Sequence, residues 1–274
     1  MRKIRIIGMA LVAVFAMGAI ASASASAQTS LPLFTTGKCI TAVPPGTGLY
    51  SNSTCTTLQG MHAGNFELEA VATGTKYTSK SGVATLEGVS GSKIVCKKST
   101  DKGEITGSKT DKDTVTFMEC EEPVHAVSCQ NHGAAAGVIE TSELETELGY
   151  INKAKKEVGV SFKGLGPEHN AHGKTSAAFE CGGGGLGPNT IYVTGSVIGQ
   201  ITPVNVLTKE FTLTLETIVP GKQKIEKFET GAKDTLTTET CEKVGEPTEK
   251  CASEGSSEKL TATLTFVPKV EVRA

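Results

Sequence analysis

Hydrophobic and polar residues alternate along most of the chain beyond residue 60, and this period of two is typical of strands that are buried on one face. The clearest case is the segment 143–151, in which Leu144 and Leu148 share one face while Glu145 and Glu147 share the other. No window of a dozen residues keeps the 3.6-residue period of a helix. Threonine is frequent at outward positions, and its branched side chain suits a pleated sheet. The pattern therefore predicts an all-β protein.

The segments that show this alternation are 65–73, 83–89, 93–97, 114–120, 143–151, 158–162, 177–181, 190–197, 210–219, 224–229 and 259–268. The segment 158–162 is predicted to pair with 143–151 as a hairpin, and residues 99–113 are predicted to be a polar connection between two strands. Short strands at uneven spacing favour a disulfide-stapled antiparallel β-sandwich, with a partly open β-barrel as the alternative. No repeat of fixed period is present.

The first 27 residues have the three parts of a signal peptide that is removed on export. Three basic residues come first, an apolar stretch at 6–20 follows, and residues 21–27 alternate alanine and serine. The apolar stretch is shorter than the roughly 20 residues that span a bilayer, and no later segment is apolar enough to do so. We therefore expect a secreted, extracellular protein that is either free or associated with the cell surface.

Two regions are predicted in the exported chain. Prolines and glycines predict a loop-rich N-terminal segment, residues 28–60, in which Cys39 and Cys55 would form a disulfide. Residues 61–274 are predicted to form the all-β domain, either as one unit or as two packed sub-domains.

An even number of cysteines in an exported chain indicates a disulfide framework. The eight cysteines are Cys39, Cys55, Cys96, Cys120, Cys129, Cys181, Cys241 and Cys251. No two are close enough for the short pairs that zinc sites use. Eight cysteines allow 105 connectivities, and the simplest joins neighbours along the chain: 39–55, 96–120, 129–181 and 241–251.

Composition narrows the range of partners. The 274 residues include 27 basic and 29 acidic ones, and loss of the three basic residues of the signal leaves 24 against 29, a net charge of about −5. An acidic chain has no electrostatic basis for binding nucleic acid. Aromatic residues make up 5% of the chain and tryptophan is absent, so few rings can stack on bases or sugars. Binding to the cell envelope and self-association remain open.

Several short motifs resemble catalytic or binding signatures but lack the context these need. Residues 182–187 satisfy the glycine spacing of a dinucleotide site, yet a strand pattern follows where a helix is required. The S-x-x-K motif at Ser90–Lys93 lies between strands and not on a helix, unlike the motif of serine enzymes that recognise penicillin. His169 and His172 form an H-x-x-H pair in a glycine-rich loop, where a weak metal site with Glu168 is the alternative to surface histidines.

A group of glutamates is the best candidate for acid and base chemistry. Glu140, Glu143, Glu145 and Glu147 lie on or beside one predicted strand, and alternate residues of a strand are roughly 6.5–7 Å apart, within the range of glycosidase carboxylates. A solvated strand face whose charge is balanced by nearby lysines explains the same residues, and we expect this second interpretation.

The chain resembles a family of uncharacterised secreted proteins that is abundant in soil actinobacteria. The segments that carry the resemblance include KIVCKKSTDKGEITG with DTVTFMEC, ELGYINKAKKEVGVSFK, and FECGG with VTGSVIGQITPVN. The resemblance implies an exported, disulfide-bonded all-β protein, and it favours the pairing of Cys96 with Cys120. It implies no catalytic residue.

The sequence therefore predicts a noncatalytic protein with a binding, adhesive or structural role. The alternative is a secreted hydrolase that acts on polysaccharide or peptide through carboxylates that the sequence does not identify. No catalytic, cofactor-binding or metal-binding residue is predicted, and no cofactor is expected.

Overall fold

The computed structural model describes residues 32–59, 62–169, 173–182, 189–243 and 249–274. Within these ranges the chain forms strands and no α-helix. The strands are β1 (Leu33–Thr41), β2 (Phe66–Ala70), β3 (Lys76–Ser81), β4 (Ala84–Gly88), β5 (Lys93–Ile105), β6 (Thr110–Glu122), β7 (Val127–Gln130), β8 (Val138–Glu140), β9 (Leu144–Asn152), β10 (Glu157–Gly164), β11 (Thr175–Cys181), β12 (Asn189–Thr202), β13 (Thr208–Leu215), β14 (Thr217–Val219), β15 (Lys222–Gln223), β16 (Leu236–Lys243) and β17 (Glu249–Arg273).

All strands except β14 and β15 belong to one large sheet, and every ladder in it is antiparallel. The long strand β5 pairs with β3 and β4 on one side and with β6 on the other. From β3 the ladders continue through β17, β13, β12, β10 and β9 to β6. The sheet therefore turns back on itself, and its inward faces enclose one main core.

The predicted all-β, antiparallel and disulfide-bonded fold class is confirmed, and so is the hairpin between β9 and β10, in which Leu148 pairs with Val160. Phe211 and Phe266 pack edge to face in the middle of the core, with ring centroids 5.6 Å apart. Alternation of side chains along each strand places such residues inward and charged residues outward.

The predicted polar connection 99–113 is wrong, because most of it is strand. The strand β5 extends to Ile105 and β6 begins at Thr110, so only a short turn joins them. The charged residues of this stretch obscured the alternation, since its three aspartates, Asp101, Asp111 and Asp113, are buried.

The predicted strand 224–229 is also wrong, because this segment has no ladder partner. It crosses the outside of β9, where the ring of Phe228 lies so close to Gly149 that a Cβ there would be 2.5 Å from ring carbons. The backbone N–H of Glu229 donates to the carbonyl of Tyr150 at 2.9 Å. The position of this segment is therefore set by its contact with the outer surface of β9 and not by pairing within the sheet.

The N-terminal segment is less irregular than its prolines and glycines predict. It contains the strand β1, which pairs with β17 and β2. The remainder folds around a second, small core in which Tyr50, Cys55 and Leu68 are buried. The predicted signal peptide lies outside the described residues.

All eight cysteines are paired, and the bridges are those between neighbours along the chain: Cys39–Cys55, Cys96–Cys120, Cys129–Cys181 and Cys241–Cys251. The last three each join directly opposed residues of adjacent strands. Cys120 and Cys129 lie one residue beyond the Glu121–Ser128 pair of β6 and β7, so two of the bridges are side by side in the sheet.

We expect the Cys96–Cys120 bridge to contribute more to stability than the Cys39–Cys55 bridge. The first joins two long strands of the main core, whereas the second closes a segment with a core of its own. A disulfide typically contributes about 2–4 kcal/mol. The double variant C96S/C120S should therefore melt several degrees below the wild type, and C39S/C55S should lose less. Calorimetric melting curves of both measure the difference, and equal losses would contradict it.

Candidate functional site

A narrow cavity of about 120 Å³ lies in the core between the inward faces of the sheet. Most of its wall is apolar, with Phe117, Phe162 and Phe179 among the lining side chains together with leucines and valines. Apolar cavities of similar size in proteins bind small apolar molecules. The cavity is therefore the main candidate for a ligand site in the described part of the chain.

The cavity is long in the direction of the strands. Along β5 the wall includes residues from Ile94 to Asp101, which are seven residue steps or roughly 23 Å apart along the strand. On β17 the wall includes Glu258. Glu258 pairs with Leu86 of β4, and Leu86 pairs in turn with Ile94 of β5. Asp101 pairs with Ser79, and Ser79 pairs with Leu264, six residues beyond Glu258. Glu258 and Asp101 therefore lie toward opposite ends.

Two aspartates form the polar end of the cavity. Asp101 on β5 and Asp113 on β6 are diagonal neighbours, since Asp101 pairs with Val115 and Asp113 pairs with Gly103. Ser79 on β3 donates its hydroxyl hydrogen to Oδ2 of Asp101. Oδ1 of Asp101 and Oδ1 of Asp113 are both buried without a hydrogen-bond partner. Such atoms are rare in folded proteins, because each costs free energy unless a ligand or water satisfies it.

A third aspartate supports this end from behind the cavity wall. The Tyr77 hydroxyl donates to Oδ1 of Asp111 at 2.5 Å. Its ring reaches there by lying flat over Gly103, which has no side chain to obstruct it. The same ring packs on Phe266 with centroids 4.8 Å apart, so the hydroxyl is held in place from both sides.

Burial raises the pKa of these carboxyl groups. Desolvation is the largest cause at Asp113, where the pKa rises to about 9, and the charges of Asp101 and Asp111 add to it. Desolvation also raises the pKa of Asp101 to about 6, against the lowering effect of the Ser79 hydrogen bond. At the other end, desolvation raises the pKa of Glu258 to about 7. At neutral pH the polar end therefore carries one proton on Asp113 and a negative charge on Asp101.

The glutamates that the sequence singles out do not reach this cavity as a group. Glu145 and Glu147 point outward from β9 and are exposed, and Glu143 makes an exposed ion pair of 2.6 Å with Lys112. Of the four, Glu140 alone borders a shallow surface groove, with Asn131. Their arrangement is that of a solvated strand face. The lysine that balances the charge of Glu143 is Lys112, which lies on the neighbouring strand β6.

The sequence did contain a signal for the buried aspartates. Asp111 and Asp113 have the same parity along β6 as Val115 and Phe117, and residues of one parity share one face. An acidic residue at positions that otherwise hold apolar ones indicates a buried carboxyl group.

A second cluster lies on the outer face of β12 and β16. The loop between β10 and β11 carries His169 to this face, where its ring stacks on Tyr192 with centroids 3.5 Å apart. His169 Nε2 is 3.0 Å from Oε2 of Glu239 and 3.7 Å from Sγ of Cys241. Glu168, which the sequence suggests as a metal ligand, forms an isolated antiparallel β-bridge with Lys174 through the backbone of the loop. His172 lies outside the described residues.

The other motifs do not converge on a site. Ser90 lies in the turn after β4 and donates its backbone N–H to Glu254, whereas Lys93 pairs with Glu87 at 2.7 Å. Most of the glycine-rich motif, residues 183–187, lies outside the described residues.

Comparisons of this chain with protein-family models, with curated proteins and with solved structures found no match. Among the described residues, no helix has the length and apolar character needed to cross a membrane. The interior cavity and the outer cluster are therefore the only observations in the described part of the chain that bear on function.

We expect the stability of the protein to fall as the pH rises from about 5 to about 9. The pKa of Asp113 is about 9 in the folded chain against an ordinary value of 3.8, so the folded chain keeps a proton that the unfolded chain has released. Each rise in pH across this window then favours unfolding. In D113N the side chain cannot ionise, and the melting temperature should depend less on pH. The variant E145Q, on the exposed face of β9, should keep the wild-type dependence, and an unchanged slope in D113N would contradict the assignment.

Replacement of Gly103 by alanine should destabilise the protein. The added Cβ would overlap the ring of Tyr77 and would displace its hydroxyl from Asp111. Overpacking of this kind costs about 1–3 kcal/mol, which corresponds to several degrees of melting temperature in a chain of this size. Gly82 has no atom within 4 Å of the position of a Cβ, so G82A is the matched control and should change little. Equal melting temperatures of the two variants would be inconsistent with this packing.

Proposed function

We propose that this protein is an exported binding protein whose interior cavity holds a small, mainly apolar molecule. The observation that carries the proposal is the pair of unpartnered carboxyl oxygens, on Asp101 and Asp113, at one end of an apolar cavity. Ligand sites are typically apolar pockets with a few convergent polar groups and shifted pKa values. Four disulfides and the signal-like N-terminus support export, since such bridges persist in oxidising compartments.

The chemistry of the polar end selects the ligand's head group. Asp101 is ionised at neutral pH and accepts hydrogen bonds, so it favours a hydroxyl or amine donor. A carboxylate head group would meet a like charge away from water, which is strongly unfavourable. The expected ligand is therefore a small alcohol or amine with a short apolar chain, in preference to a carboxylic acid.

A second function, hydrolysis, has one observation in its favour. Asp113 is a protonated carboxylic acid beside the ionised Asp101, and such a pair can supply a general acid and a base. The narrowness of the cavity argues against a sugar or peptide chain as the substrate, because either needs a wider cleft. A small ester is the substrate that this geometry would accept.

The binding test uses displacement of a neutral, environment-sensitive dye from the full-length exported protein. Straight-chain alcohols and amines of increasing length should displace the dye, and carboxylates of matched length should do so much less well. In D101N the preference against carboxylates should shrink, because the negative charge is gone. Failure of every chain to bind would contradict the proposal.

Two further variants separate binding from stability. Ala262 is buried on the cavity wall, and A262L should fill the cavity and weaken binding. Val83 is 60% exposed, and V83L is the matched control that should bind like the wild type.

Hydrolysis has a separate test. Cleavage of a small ester by the wild type, lost in D113N, would support the hydrolase in place of the binding protein.

A further inference from the structure

The cluster on the outer face brings together the atoms that a zinc site needs. The histidine nitrogen, a carboxylate oxygen and two sulfur atoms of His169, Glu239, Cys241 and Cys251 all lie within 4.8 Å of one another. In a tetrahedral zinc site, bonds of about 2.0–2.3 Å place the ligand atoms roughly 3.3–3.8 Å apart. The 3.0 Å between Nε2 and Oε2, and the 3.7 Å between Nε2 and Sγ of Cys241, are close to that range.

The sheet builds this arrangement from several directions. Glu239 and Cys241 are alternate residues of β16 and share a face, and Cys251 is directly opposite Cys241 on β17. Tyr192 is opposite Glu239 on β12, and its ring is the platform on which His169 stacks. The side chains of His169 and Glu239 are 13% and 7% exposed. The site is therefore shaped by packing before any metal arrives.

The disulfide decides whether the cluster can hold a metal. While Cys241 and Cys251 are joined, their sulfur atoms have no thiolate charge to offer, and only two of the four ligands remain. We propose that reduction of the Cys241–Cys251 bridge converts this cluster into a Zn²⁺ site with two cysteine ligands, one histidine and one glutamate. The proposal is independent of the interior cavity and of its ligand.

Reduction of the bridge and binding of the metal are two separate steps. A dithiol reductant transfers two electrons and two protons to the bridge, the sulfur–sulfur bond breaks, and the reductant becomes a disulfide. Zn²⁺ then binds both sulfurs as thiolates, and their two protons are released to solvent. Reoxidation re-forms the sulfur–sulfur bond, removes both thiolate ligands and so releases Zn²⁺.

The test uses the full-length exported protein and Co²⁺ as a spectroscopic substitute for Zn²⁺. A phosphine reductant opens the bridge without supplying thiols that compete for the metal, and mass mapping after alkylation identifies the open cysteines. We expect the reduced wild type to bind one Co²⁺ with thiolate-to-metal absorption and tetrahedral bands, and Zn²⁺ to displace it. The oxidised protein should show neither band.

Matched variants assign the ligands. H169A and E239Q should each weaken Co²⁺ binding by roughly tenfold or more. Loss of a residue that only contacts a metal ligand already weakens metal binding by about tenfold, and loss of a ligand itself should weaken it at least as much. C241S/C251S should lose the thiolate absorption, and C129S/C181S, which removes another half-buried bridge, should keep it. Circular dichroism of each variant shows whether the sheet is intact.

Three results would overturn the proposal. The first is an open Cys241–Cys251 bridge that binds no Co²⁺ in a folded chain. The second is thiolate absorption that survives in C241S/C251S, since the metal would then be bound elsewhere. The third is a Cys241–Cys251 bridge that the reductant cannot open while the protein is folded, because the metal site needs both cysteines as free thiols.

Discussion

The hydrogen bonds that Tyr77 and Ser79 donate to buried carboxyl groups are the interaction on which this structure depends. Three aspartates on β5 and β6 lie close together away from water, and ionisation of all three would cost more than the fold could offset. Two hydroxyl donors from β3 favour the ionised forms of Asp101 and Asp111 and oppose the burial that raises the pKa of both, and burial keeps a proton on Asp113. The register that aligns β3, β5 and β6 therefore also provides hydrogen bonds to Asp101 and Asp111, and it leaves one oxygen of Asp101 and one of Asp113 without a partner.

The same constraint explains why the core contains a cavity. A sheet that turns back on itself encloses a fixed space, and the chain has no tryptophan and only nine phenylalanines to fill it. Polar side chains occupy one end of that space, where they need partners and not apolar neighbours. The disulfides Cys96–Cys120 and Cys129–Cys181 join adjacent strands toward the other end of β5 and β6. The cavity therefore has mainly apolar walls, with Asp101 and Asp113 at one end and Glu258 toward the other.

The two candidate sites use different chemistry and lie on opposite faces of the sheet. The proposed ligand of the interior cavity would be selected by shape and by hydrogen bonding at the acidic end. The proposed metal site of the outer cluster would depend on the redox state of one bridge and on the loop residue His169. A ligand in the core and a metal on the outside would each be bound by residues that the other does not contact.

Sequence alone determined the strand content and the class of the fold, because alternation such as that of Leu144, Thr146 and Leu148 is a local property. The even number of cysteines determined that bridges form, and pairing of near neighbours followed because adjacent strands bring them together. The sequence did not determine which residues hydrogen-bond to the buried carboxyl groups: only the pairing of β3 with β5 brings Ser79 to Asp101. Nor could it bring His169 to Glu239, seventy residues away along the chain. Long-range register decides these contacts, since one residue of slip would turn each side chain to the other face.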